Sequence, residues 1–197
     1  KKGVIKGRMS PMKITFPMMI YNRENWRDAD KAKDVPRRGN GNAAPVQLGN
    51  SFQYLVSKAK TEVRKYNDDY NGGKSEVLGL HHAGHANHLH HMFMSAEFPE
   101  IADFPENLIA LTPGQHLGLA HPDGNTSVVA KDYQYQCLLS KSETIEKNIV
   151  GACGPEGFYE FEKFRFVLST GLGAEAFENV PMNDFTELRN QIDARCG

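Results

Sequence analysis

The chain is short of cysteine, with three in 197 residues, Cys137, Cys153 and Cys196, odd in number and far apart. That spacing builds neither a disulfide framework nor a Cys-x-x-Cys zinc ribbon. It suits a reducing compartment, and a cytoplasmic location is expected. Long apolar runs are missing too: nothing approaches the roughly 18 residues of a membrane span, and no signal-peptide pattern opens the chain. An internal repeat and a phosphate-cradling glycine loop are also lacking, which sets aside solenoids and P-loop chemistry.

The net charge is only −1, yet this total hides a division. Eleven cations meet four anions between Lys1 and Asn40, so the remainder is acidic. A basic arm on an acidic body suits a polyanionic partner, and equally a solubilising tail. Composition is otherwise that of a globular protein, 40% hydrophobic and 24% charged, long enough for one ordinary domain. Arg37 and Arg38, beside Gly39 and Gly41, could approach a phosphate closely, although glycine and asparagine at that density also describe a solvated loop.

Helical spacing is clearest after this arm. Phe52, Leu55, Val56, Ala59, Val63 and Tyr66 predict four turns of amphipathic helix, opened by Asn50 or Ser51 and stopped at Asn71-Gly72-Gly73. Lys58, Lys60, Arg64 and Lys65 occupy its other faces, as on any surface helix or on one lying along a nucleic-acid backbone. Glu76 to Leu80 is a candidate strand. Further helices are expected from Asp132 to about Ile149, through Phe158 to Leu168, and from Asn183 to Arg195, their aromatic residues serving as core.

What the chain does have is histidine, all eight of them between His81 and His121. The run HHAGHANHLHHMFMSAEFPEIADFPENLIALTPGQHLGLAHP contains a His90-His91 pair, then Asn107 opening the apolar run Leu108 to Leu111. Thr112-Pro113 then starts a helix by cap and first-turn proline. This order predicts strand, loop, strand and helix, with His90 and His116 placed to share one cation. Neighbours on a strand point to opposite faces, so the pair is expected where the strand breaks. The apolar segment between the pair and Asn107 predicts a compact Ω-like loop, whose base an amide can bridge as donor and acceptor together. His88, two residues before His90, would share its face in a strand.

These residues resemble the HNH branch of the ββα-metal (His-Me finger) nucleases; ENLIALTPGQH and the downstream DYQYQCLLSKSETIEKNI are similar to bacterial restriction-type HNH proteins. The resemblance, covering roughly Asn87 to Pro122, implies an α+β fold: a ββα-metal core with flanking amphipathic helices and a basic N-terminal arm. The expected segments are an arm over 1–49, a long helix over 50–75, the nuclease core over 76–125 and a helical part over 126–197. By the same resemblance His91 is the general base, Asn107 braces the loop that carries it, and His90 and His116 hold the metal. Relatives with a second helix histidine place it one turn on, here Ala120. His121 falls one residue late and is a third ligand only against that spacing.

The implied activity is metal-dependent hydrolysis of DNA phosphodiester bonds, with RNA left open. A neutral imidazole suits water activation, and one cation with few protein ligands keeps positions open for phosphate and water. Magnesium is the expected metal, although imidazoles accept manganese or zinc. Arg37, Arg38, Lys58, Arg64, Lys65 and His88 are the candidate nucleic-acid contacts. No membrane partner is expected, and a homodimer would serve double-strand cutting. The alternatives are a non-catalytic zinc module that binds nucleic acid, and an RNase or toxin on the same fold. Structural zinc sites usually employ cysteine and close four ligands, and no cysteine lies in the histidine run.

Overall fold

The second strand, Leu108–Leu111 (β2), is four apolar residues long and fully buried. Side chains alternate across a strand, so β2 needs cover on both faces. Ile109 and Leu111 enter a core with Leu138, Ile145, Phe164, Leu168, Leu188 and Ile192. Leu108 and Ala110 pack with Ala59, Val63, Ala86 and Leu89. The first strand, His88–His91 (β1), pairs antiparallel with β2, with His88 opposite Leu111 and His90 opposite Ile109.

The structure is a computed structural model that describes residues 50–121 and 124–197, which belong to one compact unit. Among the described residues, the helices are α1 (Asn50–Tyr70), the short α2 (Pro113–Gln115), α3 (Lys131–Ile149), α4 (Phe161–Leu172) and α5 (Phe185–Cys196). None is long and apolar enough to cross a membrane. Helix α1 covers one face of β2, and α3 to α5 supply the core on the other. The fold is thus mixed, a small antiparallel sheet among helices. The three cysteines are free.

Two expectations need correction. Leu55, placed on the buried stripe of α1, is 45% exposed, because α1 buries only its C-terminal half through Ala59, Val63 and Tyr66. The candidate strand Glu76 to Leu80 does not form. Glu76 instead engages β2 alone: its N–H donates to Ala110 O (3.1 Å) and its Oε1 accepts from Ala110 N (2.9 Å). One side chain thus replaces the ladder of a third strand. Lys141 of α3 then neutralises it. Its ammonium, fully buried, lies 3.3 Å from Glu76 Oε2 and donates to the Tyr159 hydroxyl at 2.8 Å.

Breaking a buried pair by removing one partner typically costs about 3–5 kcal/mol, because the other charge stays buried. Lys141→Met is therefore expected to lower unfolding free energy by that amount in urea titrations, and Glu76→Gln added to it should recover much of the loss. Equal stability of wild type and Lys141→Met would show that the pair does not hold this segment.

Candidate metal centre

The loop between the strands sets the site's back wall. Pro99–Ile101 and Pro105–Asn107 form two short 3₁₀ turns, each opened by proline. Phe93 and Ile101 enter the core, with Phe98 and Phe104 packed against it. Asn107 closes the loop at its base. Its Oδ1 accepts from Phe93 N (2.9 Å) while its Nδ2 donates to Phe93 O (3.0 Å) and Ile101 O (3.2 Å). The side chain is fully buried and fully used.

Helix α2 begins with a capping box. Thr112 Oγ1 accepts from Gln115 N (3.2 Å), and Gln115 Oε1 accepts from Thr112 N (3.3 Å). The chain then loosens into a π-helical turn over His116–Ala120. An α-helix sets residues i and i+5 about 140° apart around its axis. A π turn closes i to i+5 and brings them near alignment. This removes the spacing objection to His121: Ala120 would be the partner of His116 on an α-helix, and the wider turn moves that place to His121.

His90, His116 and His121 consequently face one another. Each offers a ring nitrogen, and the three nitrogens lie within 4.8 Å of one another. Ring centroids are 5.2 Å apart for His90 and His116, 4.9 Å for His90 and His121, and 4.8 Å for His116 and His121. His90 Nε2 is buried without a hydrogen-bond partner. His121 Nδ1 donates to Val128 O (2.7 Å), which leaves its Nε2 as the lone-pair nitrogen. An unpartnered buried acceptor among two more imidazoles is what a cation would satisfy.

Burial, followed by the neighbouring imidazoles, lowers the His90 pKa to about 3, and burial with His121 and His88 lowers His116 to about 4. Both rings are therefore neutral at pH 7, the form that binds metal. His91, at the strand end, donates from Nε2 to Ala102 O at 3.0 Å. A carbonyl only accepts, so the proton sits on Nε2 and the lone pair on Nδ1. Burial and then the Lys60 ammonium bring the His91 pKa to about 4.

The other candidates separate. His88 lies against His116, with the two Nδ1 atoms 3.0 Å apart. Lys58, Arg64 and Lys65 are exposed on α1. Lys58 is 3.7 Å from Glu62, while Arg64 Nη2 donates to Asn87 O (3.0 Å), just before β1. Arg37 and Arg38 lie outside the described residues. Lys60, expected from the sequence only as one of the helix cations that could meet a nucleic-acid backbone, is the cation whose charge reaches His90, His91 and His116. Its signal was its position one turn after Val56 and beside Ala59, at the flank of the buried stripe. His82, by contrast, bonds within its own turn to Gly79 O. A cavity of about 350 Å³, lined by Tyr66, Asn67, Ser75, Glu76 and Thr144 among others, includes none of the histidines. Clustered nitrogens, not cavity size, mark the centre.

No family model, curated protein or solved structure matches the chain.

Asn107→Ala strands a buried N–H and two carbonyls, each costing about 1–3 kcal/mol when left without a partner. A loss of about 3 kcal/mol or more is expected in urea unfolding, and a change near zero would contradict the bracing role. The imidazoles also carry a pH signature. Their folded pKa values of about 3 and 4 lie below the ordinary 6.5, so the unfolded chain binds more protons in between. Stability from neutral burial is present above pH 6.5 and is lost as pH falls toward 4. In chelator-treated protein the urea midpoint should fall across that window and fall less in His90→Phe. Identical slopes in both proteins would count against a buried neutral His90.

Proposed function

We propose that the strand, strand and helix from His88 to His121 form an HNH-type ββα-metal nuclease site that hydrolyses phosphodiester bonds, of DNA in the first instance. The observation that carries this reading is a three-imidazole cluster beside a fourth imidazole whose tautomer is set by Ala102 O. Three protein ligands leave a tetrahedral ion one open position, the usual difference between catalytic and structural zinc sites. This favours hydrolysis over the alternative of a structural zinc module, which needs a fourth ligand. His90, His116 and His121 would hold the ion, and its chemistry would be to polarise the phosphate and neutralise the leaving oxygen. An all-imidazole donor set suits zinc, nickel or another borderline metal better than magnesium, which prefers oxygen.

The chain's own residues supply the rest. His91 Nδ1 takes a proton from water as the water oxygen bonds to phosphorus and the bond to the leaving sugar oxygen breaks. Nε2–H stays on Ala102 O, holding the ring in place, while Asn107 keeps the Ile101 to Phe93 loop closed behind it. Neutral ligands leave the cation's charge uncompensated, and Lys60 adds to it, so the pocket favours an anion. Arg64 lies one turn further along α1. The basic segment from Lys1 to Asn40 would supply further phosphate contacts. Such contacts make binding fall with salt, about −0.9 in log slope per phosphate on duplex DNA.

The test is incubation of supercoiled plasmid with the chain in EDTA and in Mg²⁺, Mn²⁺, Ni²⁺ or Zn²⁺. One site cuts one strand per encounter, so nicked circles should appear first, in metal and not in EDTA. His91→Ala should slow nicking by about 10²–10⁴-fold with metal affinity nearly unchanged. Cleavage by His91→Ala at the wild-type rate would remove the base assignment, and absence of cleavage with every metal, on DNA and on RNA, would remove the nuclease reading.

A further inference from the structure

Resting on the metal-centre reading above, we infer that His88 is a positioning residue for the cation, accepting a hydrogen bond from His116 and thereby aiming the opposite nitrogen of that ring at His90 and His121. The two Nδ1 atoms are 3.0 Å apart and the rings meet edge-on at 68°, with centroids 5.0 Å apart. Two ring nitrogens at that distance share one proton, so one donates and the other accepts. His116 can present Nε2 to a cation only as a lone pair, which places its proton on Nδ1. The acceptor is then His88 Nδ1, and the proton of His88 is on Nε2.

The fold makes this arrangement from two separate elements. His88 and His90 share a face of β1, two residues apart, opposite Leu111 and Ile109 of β2. The strand therefore offers one imidazole to the cluster and a second, one repeat back, to the far side of His116. His121 receives the same service from a different group, the Val128 carbonyl. Two of the three cluster rings thus have their second nitrogen engaged, and in each the remaining nitrogen is left free for the centre. Partners of this kind fix the tautomer and orientation of a ligand ring, and their loss typically lowers metal affinity about 10–100-fold.

The experiment compares wild type, His88→Phe, His88→Asn, His88→Gln and His116→Ala by calorimetric titration with Co²⁺ and by the visible absorption of the cobalt complex. Far-UV circular dichroism and thermal melts accompany each variant. Phenylalanine keeps the ring shape without an acceptor. Asparagine sets an amide oxygen near the place of Nδ1, whereas glutamine reaches toward the place of Nε2. Expected are a loss of about 10–100-fold in Co²⁺ affinity for His88→Phe with a weakened visible band, and recovery of both in His88→Asn but not in His88→Gln. Should His88→Phe fail to fold, the asparagine and glutamine variants still decide the matter. Wild-type affinity in His88→Phe, or equal losses in the asparagine and glutamine variants, would overturn the positioning role while leaving the metal centre standing. Co²⁺ binding equally weak in wild type and His116→Ala would instead remove the metal centre, and this inference with it.

Discussion

The complete burial of β2 is the constraint on which the other features depend. Four consecutive apolar side chains leave water there, and Leu108, Ile109 and Leu111 contribute about 1.5–3 kcal/mol each. A strand buried on both faces must also find partners for its backbone on both edges. On one edge that partner is β1, which brings His88 and His90 to one face. On the other it is Glu76, whose main chain and carboxylate both bond Ala110. Lys141 exists inside the core for the sake of that carboxylate. The core thus reaches the centre directly, through Ile109 opposite His90 and Ala120 between His116 and His121.

The electrostatics of the centre follow from the same burial. A charged imidazole is costly away from water, so His90, His91 and His116 stay neutral at pH values where an exposed histidine would titrate. Neutral rings are ligands and bases, and charged ones are neither. The ammonium of Lys60, half-buried on α1, reinforces this. Neutral ligands and a nearby ammonium leave positive charge in excess once a cation binds. An anion would answer that excess, as the proposed phosphodiester substrate would.

Hydrogen bonds set the direction of three of these rings, His91, His116 and His121. Ala102 O binds His91, Val128 O binds His121, and His88 sits on His116. Asn107 stabilises the loop that carries the first of these acceptors through three bonds of its own. The rings are therefore oriented before any ligand arrives, which limits the ordering that binding must impose.

How much of this was legible in the sequence depended on how local the cause was. Helices α1, α3 and α5 follow from apolar residues at 3.6-residue spacing, and the observed ends lie within two residues of those expected. Thr112-Pro113 and Gln115 specify their capping box within four residues of chain. The pair, Asn107 and His116 stand in an order that already suggested a strand, loop, strand and helix. Other features came from contacts distant in sequence. Glu76 to Leu80 has strand-like residues, but a single carboxylate met the need of β2, and only Lys141, 65 residues on, makes its burial tolerable. The exposure of Leu55 reflects where α1 meets the sheet, which its periodicity cannot encode. His121 is the clearest case: regular helical spacing turned it away from His116, and a π turn with a carbonyl at Val128 turned it back. Periodicity is a property of neighbouring residues, whereas the direction of a buried ring is settled by whichever acceptor the rest of the chain brings to it.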